Sequence, residues 1–235
     1  MGQKKLIRFA EVKTFANVLQ YPEDMAGNWN TFFKNDHPII LELACGKGEY
    51  SLGLAQLYPS KNFIGVDLKG NRLWVGAKKA LNQGLQNVAF LRTQIDGIAS
   101  YFNKDEVEEI WITFPDPQLR ISKSKKRLTH PKFLRMYQHI LRAGGKIHLK
   151  TDSPELYQFT KNVIHQYGCL LIEESDNIYQ QSQMKPELSI KTHYELLDIA
   201  QSNRIHYLSF SLPPQLPGVE MDKLLHEELK NEKVG

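Results

Sequence analysis

Residues 39–67, IILELACGKGEYSLGLAQLYPSKNFIGVD, decide the fold. Ile39 to Ala44 is an apolar run of strand length that stops at a glycine turn, Gly46-Lys47-Gly48, and Phe63 to Val66 is a second run that stops at Asp67. A helical stretch lies between them, and strands joined through a helix pair in parallel. The alternation continues outward through Val88 to Leu91, Ile110 to Phe114 and Ile147 to Leu149. Cys169 to Ile172 and Tyr207 to Leu212 follow as further strands. The pattern predicts an α/β fold with a doubly wound, mostly parallel seven-stranded sheet.

Helix boundaries have their own signals. Pro131 fits a first helical turn after Thr129-His130, with Phe133, Leu134, Tyr137 and Leu141 at helical spacing, and Gly144-Gly145 is expected to end that helix. Ser153-Pro154-Glu155 opens another helix that ends near Gly168, and Asn177 to Lys191 reads as a long polar connection. Residues 1–36, with turn formers at Tyr21-Pro22 and Gly27-Asn28, read as an N-terminal extension, residues 37–218 as the domain, and residues 219–235 as an acidic helical tail.

At 235 residues the chain suits one α/β domain with additions. Its net charge of +4 is modest, but from Pro117 to Thr151 ten Lys and Arg stand with no Asp or Glu. That asymmetry points to an anionic partner on one face, against the plainer reading of a solvated loop and helix face. Cys45 and Cys169 have no spacing suited to zinc or a disulfide framework, so no metal and a reducing compartment are expected. MGQKKLIRFAEV lacks the apolar core of a signal peptide and no segment has bilayer length, which leads to the expectation of a cytoplasmic protein without membrane contact. No obligate protein partner is evident, which leaves a monomer or homodimer.

The glycine turn lets backbone approach a ligand before a helix begins. A dinucleotide fingerprint would carry a third Gly or Ala where Ser51 stands, and Glu42 in the strand end is out of place beside a pyrophosphate. An acid there suits a ligand bearing an ammonium or sulfonium group, and S-adenosylmethionine has both. Asp67 is placed to accept from ribose hydroxyls, and Asp96, after the third strand, from an adenine amino group. Each acid also has a plain reading: Glu42 as a surface carboxylate, Asp67 as a cap for the helix near Lys69, Asp96 as a turn residue. Their joint appearance at three successive strand ends favours the cofactor site, because that line of strand ends is the cleft of this architecture.

After the Ile110 strand comes TFPDPQLRISKSKKRLT, residues 113–129, where a Pro-flanked acid, Asp116, opens into a basic loop. The layout couples a chemical site to a polyanion site. These residues resemble the bacterial tRNA (guanine-N7)-methyltransferases, of the class I S-adenosylmethionine-dependent (Rossmann-like) fold, from about Ile39 to Leu212. The carriers are Glu42-Leu43-Ala44-Cys45-Gly46-Lys47-Gly48, Gly65-Val66-Asp67, Phe114-Pro115-Asp116-Pro117, Lys125-Lys126-Arg127-Leu128-Thr129, Lys150-Thr151-Asp152 and Thr192-His193-Tyr194-Glu195. The glycine motif marks only the superfamily, and the last four in this order are specific.

The resemblance implies methyl transfer to N7 of guanine at position 46, in tRNA numbering, of the variable loop. It implies Asp116 as the catalytic acid near the methyl end of the cofactor, and Glu42, Gly46, Gly48, Asp67, Asp96 and Asp116 itself as cofactor-binding. Arg120, Asp152, Thr192, His193, Tyr194 and Glu195 would contact the target nucleotide, and Ser122, Lys123, Ser124, Lys125, Lys126 and Arg127 would lie along RNA. Thr192-x-x-Glu195 is also a capping-box pattern ahead of Leu196, Leu197 and Ile199, Asp152 fits a cap of the Pro154 helix, and Asp116 fits a plain turn. Lys4, Lys5 and Arg8 fit either an added RNA contact or plain solvation.

Where the family has Trp and usually Pro after the acid-proline pair, Gln118 and Leu119 stand here, and Ile121 and Ser122 occupy positions usually charged. The lost indole bears on how Arg120 and the basic segment are held. Two alternatives carry different expectations: a class I methyltransferase acting on another RNA or on an amine, and a non-catalytic RNA-binding module on the same fold. A dehydrogenase ranks last because the third glycine is missing.

Overall fold

Alternation along the strands divides the interior in two. In β2 (Ile39–Leu43), Ile39, Leu41 and Leu43 join one apolar cluster and Ile40 the other. β3 (Asn62–Asp67), β4 (Val88–Arg92) and β5 (Val107–Thr113) repeat the split, with Ile64, Val66, Ala89, Leu91, Ile110 and Ile112 on the first side and Phe63, Val88, Phe90 and Trp111 on the second. A sheet buried on both faces needs helices on both. The first face receives α5 (Pro131–Ile140) and α6 (Pro154–Gln166), with Trp29 and Phe33 of α2 (Trp29–Phe33) and Leu225 and Leu229 of α8 (Met221–Asn231). The second receives α3 (Glu49–Leu57) and α4 (Gly70–Asn82).

The computed structural model describes residues 2–197 and 204–231. Ile199 of the expected helix after Thr192, and the last residues of the expected tail, 232–235, lie outside these, as do the side chains of Lys4 and Lys5. Among the described residues no helix is long and apolar enough to cross a membrane.

Among the described residues the sheet has eight strands rather than the expected seven, in the order β1-β4-β3-β2-β5-β6-β8-β7. The addition is β1 (Val18–Gln20), which comes from the N-terminal extension and pairs in parallel with β4 at the edge. Three residues with no period of their own give no strand signal in sequence; the pairing is completed by Phe90 N–H donating to Asn17 O at 2.8 Å and Tyr21 N–H to Arg92 O at 3.1 Å. The extension also forms α1 (Gly2–Glu11), whose Glu11 carboxylate accepts from Trp74 Nε1 of α4 at 2.7 Å. β6 (Leu141–Thr151) continues the parallel set, and β8 (His206–Ser211) runs antiparallel between β6 and β7 (Leu170–Ser175).

Gly144-Gly145 does not end α5. That helix stops at Ile140, and the glycines form an irregularity inside β6, where pairing passes from Val107–Leu141 to Glu109–Lys146. Gly144 has φ 71° and a Cβ on Gly145 would stand 2.8 Å from Glu108 O, so a left-handed turn and a close strand approach use the pair.

Candidate active site at the carboxyl ends of the strands

The turn after β2 is wound left-handed at three positions, Ala44 (φ 59°), Gly46 (φ 59°) and Gly48 (φ 72°). A side chain is excluded at Gly48, where a Cβ would meet the Phe90 ring at 2.4 Å. The non-glycine Ala44 carries strain at this point, as does Phe114 (φ 47°) at the end of β5. Gly46 N–H donates to Asp67 Oδ2 at 3.0 Å, and Lys69 N–H donates to Asp67 Oδ1 at 2.7 Å. Asp67 therefore joins the glycine turn to the start of α4 and keeps a second lone pair on each oxygen for a ligand.

Glu42 is buried, not a surface carboxylate. Its Oε2 accepts from the Ser51 amide at 2.8 Å and from the Ser51 hydroxyl, and its Oε1 accepts from Thr113 Oγ1 at 2.7 Å. Burial pushes its carboxyl up to about 7 against the pull of those donors. Ser51, which stands where a third glycine would open a pyrophosphate cradle, is thus the residue that holds this acid. Cys45 beside it is buried and its thiol is pushed well up by burial and by Glu42 and Asp67, so it is no nucleophile at neutral pH.

A cleft of ≈ 400 Å³ opens along the ends of β2, β3 and β4 between Ala44, Asp67, Leu68 and Thr93 to Asp96 on one side and Lys125, Lys126, Leu128, Lys132 and Phe133 on the other. Its two acids stand among apolar walls from Leu68, Ile95, Leu128 and Phe133, which suits a ligand with a flat apolar part and hydroxyl or amino donors. Asp96 is paired with Lys132 across the cleft, both side chains about half exposed. A smaller cavity of ≈ 190 Å³ lies nearer the amino ends of the strands, by Ile40, Phe63 and Glu109, away from the motifs. Among the described residues no group of His, Cys, Asp and Glu is placed to hold a metal ion.

β5 and β6 leave the sheet side by side, with Thr113 paired to Lys150, so Asp116 and Asp152 follow adjacent strand ends. Asp116 is exposed, and its Oδ1 accepts from the Gln118 amide at 3.0 Å. Gln118 has φ 48°, a left-handed turn residue. Arg127 holds this turn: its guanidinium donates to Pro117 O at 3.1 Å and to Gln118 O at 3.3 Å, and lies 4.4 Å from the centre of the Phe159 ring on α6. An arginine from the far end of the same loop thus ties the Asp116 turn to α6. Arg127 and Ser124 are buried, while Arg120, Ser122, Lys123, Lys125 and Lys126 are exposed.

On α6 the cap is Ser153, whose Oγ accepts from Leu156 N–H at 3.2 Å, which leaves Asp152 half-buried at the strand end rather than capping. Thr192 makes half of a capping box: its Oγ1 accepts from Glu195 N–H at 3.2 Å at the start of α7 (His193–Leu197). Glu195 does not return the bond. Its carboxylate accepts instead from Lys150 Nζ at 2.9 Å and from the Tyr179 hydroxyl. Lys150 also donates to Leu188 O at 2.9 Å and Ile190 O at 2.8 Å, which uses all three of its protons. Burial lowers its pKa and Glu195 opposes that shift.

Tyr194 brings α7 to the glycine turn: a Cβ on Gly46 would lie 3.8 Å from Tyr194 Cε2. The Arg72 guanidinium of α4 sits 5.5 Å from the centre of the Tyr194 ring. The structure thus gathers the glycine turn, Glu42, Asp67, Asp116, Asp152 and the Thr192 segment at one end of the sheet, with the basic loop beside them. Lys150, which anchors Glu195 beside the site, was missed by sequence reasoning. Lys150 carried the faint signal of a charge ending an apolar strand.

A family model described as putative methyltransferase matches residues 36–208. The tRNA (guanine-N(7)-)-methyltransferase of Porphyromonas gingivalis is 47% identical over 213 residues, 86% of this chain and 86% of that protein. The proteins of the same name from Christiangramia forsetii and Bacteroides thetaiotaomicron are 45% and 43% identical, over 90% and 94% of this chain and 100% and 92% of their own. Among solved structures, the 16S rRNA methyltransferase KamB aligns with a TM-score of 0.62 at 14% identity over 84% of this chain and 99% of that one. The 30S ribosomal A1408 methyltransferase from an uncultured bacterium aligns with a TM-score of 0.57 at 15% identity over 80% and 93%.

Proposed function

This chain belongs to the tRNA (guanine-N(7)-)-methyltransferase family, and from that premise we propose that it methylates N7 of a guanine in the variable loop of tRNA, with Asp116 as its catalytic acid. The observation that carries the reading is the convergence of a glycine turn, buried Glu42, Asp67 and Asp116 at adjoining strand ends beside an exposed run of lysines. S-adenosylmethionine, when bound, supplies an electrophilic methyl group on a sulfonium sulfur.

The residues present fit that cofactor. Gly46 brings main chain without a side chain to the turn, Asp67 has lone pairs for ribose hydroxyls, and Asp96 stands for the adenine end of the cleft. Glu42, held near neutrality by burial, returns to its ionised form beside a cation, so its charge is available to an ammonium or sulfonium group.

Guanine N7 is a lone-pair acceptor and needs no proton removed before attack. A strong general base is therefore unnecessary. Methylation leaves a positive charge on the purine, and a prepositioned Asp116 carboxylate stabilises that charge as it develops. Asp152, following the adjacent strand, can accept from N1–H and the 2-amino group and so select guanine over adenine. Lys123, Lys125 and Lys126 hold phosphate, which gives orientation and affinity but little sequence choice. Arg127 acts behind them, fixing the turn that presents Asp116.

The test is to incubate unmodified tRNA with labelled S-adenosylmethionine and map the product by nuclease digestion and mass spectrometry. N7-methylguanosine in the variable loop is expected. Label on an exocyclic amine, or no label on any tRNA, sinks the reading.

A further inference from the structure

Two main-chain segments form one wall of the ≈ 400 Å³ cleft: Asp67 and Leu68 after β3, and Thr93 to Asp96 after β4. Between them stands Arg92, the last residue of β4, paired in the sheet with Asp67 on one side and with Gln20 of β1 on the other. Arg92 lies behind the wall and does not line the cleft. Alternation turns it to the face of Val88 and Phe90, where α4 packs. From there Arg92 Nε donates to Leu68 O at 3.2 Å, which ties the segment after β3 to the strand that runs into Thr93. Leu68 is 46% exposed, so burial of its side chain does not fix this turn. Its hydrogen bonds run through Asp67, to the amides of Gly46 and Lys69, and through Arg92.

The grip on Arg92 comes from the N-terminal extension. Its Nη1 donates to Gln20 Oε1 at 2.9 Å, and Tyr21 N–H donates to Arg92 O at 3.1 Å. The guanidinium carbon lies 5.2 Å from the centre of the Phe9 ring of α1 and 5.6 Å from that of the Tyr21 ring. Aromatic contacts and hydrogen bonds together fix a guanidinium in place and in direction. Gly70, the first residue of α4, leaves room for this packing, since a Cβ there would stand 3.1 Å from Phe9 Cε1 and 3.3 Å from Arg92 Nε. α1 is itself fastened to α4, where Trp74 Nε1 donates to Glu11 at 2.7 Å and Arg8 lies 4.5 Å from the centre of the Trp74 ring. A continuous set of contacts therefore runs from α1 and β1 through Arg92 to the Leu68 carbonyl.

We propose that Arg92 is a positioning residue for the cofactor site, and that the N-terminal extension, which holds it through Phe9, Gln20 and Tyr21, is a working part of that site. The inference rests on the reading of the cleft as the place of S-adenosylmethionine. Arg92 acts through Leu68 and the segment after β4, setting the spacing of Asp67 and Asp96 and so the fit of the nucleoside part of the cofactor. The Asp116 turn follows β5, which β3 and β2 separate from β4, so its geometry does not depend on this grip.

The experiment measures S-adenosylhomocysteine affinity by calorimetry for the full-length wild type, Arg92→Met, Arg92→Lys and Phe9→Ala, with unfolding midpoints, kcat, and KM for S-adenosylmethionine and for tRNA. Met keeps an unbranched stem between the rings and removes the donors; Lys restores a cation with donors for Leu68 O and Gln20. In Arg92→Met the dissociation constant for S-adenosylhomocysteine and KM for S-adenosylmethionine should rise about tenfold, the size of one lost charged hydrogen bond. Its kcat at saturating cofactor and its KM for tRNA should stay within about twofold of wild type. Arg92→Lys should recover most of the affinity, and Phe9→Ala should raise the dissociation constant roughly threefold with little change in midpoint. A folded Arg92→Met with wild-type cofactor affinity overturns the proposal. So does a fall in kcat at saturating cofactor with affinity intact. If Arg92→Met does not fold, wild-type affinity in Phe9→Ala overturns it equally. A wild type that binds no S-adenosylhomocysteine overturns the reading of the cleft itself, a result distinct from a binding-competent wild type whose variants bind as well.

Discussion

The ammonium of Lys150 lies 2.9 Å from the carboxylate of Glu195, with side chains 0% and 3% exposed, and this pair fastens the Thr192 segment to the end of β6. Removing one partner leaves the other charge buried alone, which typically costs about 3–5 kcal/mol. Lys150→Met should lower the denaturant midpoint accordingly, while Lys150→Met with Glu195→Leu should recover much of that loss. Transfer should stay low in both, because the carbonyls of Leu188 and Ile190 lose their donor and the segment its anchor. A double variant with wild-type kcat would show that Glu195 and Lys150 have no part in positioning the target.

Glu42 gives a pH dependence with a definite sign. Its folded pKa is raised, to about 7, so the folded protein without cofactor holds this proton more tightly than the unfolded chain. The burial cost is absent below the unfolded carboxylate value, grows as pH rises from there to about 7, and is fully felt above, on the order of 3 kcal/mol. A cationic ligand reverses the shift and releases a proton. Calorimetry at pH 6.5 in buffers of different ionisation heat should show proton release on S-adenosylmethionine binding by the wild type. Glu42→Gln, which keeps acceptors for part of the Ser51 and Thr113 network, should show weaker binding and no release.

The parts of this molecule legible in sequence are those whose physics is local. Ile39 to Leu43 and its successors read as strands because long apolar runs end at glycine or acid, and the acids read as a cleft because strand ends are where such runs stop. The eighth strand was not legible, because Val18–Gln20 is held by pairing with β4 and not by any pattern of its own. Nor was the difference among the cations of the 120–127 loop, which look alike in sequence. The carbonyls of Pro117 and Gln118 and the approach of Phe159 from α6 select Arg127 for burial. Glu195 reads as a capping-box acid for the same reason: the competing partner, Lys150, comes from a distant strand.

That difference makes Arg127 and the exposed lysines separable. Arg127→Ala should cost stability, roughly 1–3 kcal/mol for the unpaired carbonyls, and should lower kcat by loosening the Asp116 turn. Lys123→Ala, Lys125→Ala and Lys126→Ala together should leave the melting temperature nearly unchanged but make the salt dependence of tRNA binding shallower, by about 0.9 for each phosphate no longer neutralised. Equal effects of the two changes on stability would contradict the division of the loop into an anchor and a surface.

Asp116 has two tasks that a single substitution can separate. Its Oδ1 accepts from the Gln118 amide, and that bond sets a turn in which Gln118 already occupies the left-handed region at φ 48°. Asp116→Asn keeps an oxygen for the amide and removes the charge, whereas Asp116→Ala removes both. If the carboxylate acts on the charge developing on the purine, Asp116→Asn should lower kcat by about 10²–10³, the usual loss for one preorganised electrostatic group. KM for tRNA and cofactor affinity should change little, since neither depends on that charge in the ground state. Asp116→Ala should be at least as inactive and should bind tRNA less well, because the turn that carries Arg120 is released. Wild-type turnover by Asp116→Asn alongside an inactive Asp116→Ala would reduce the residue to a turn former, and the stabilising charge would then have to come from Asp152.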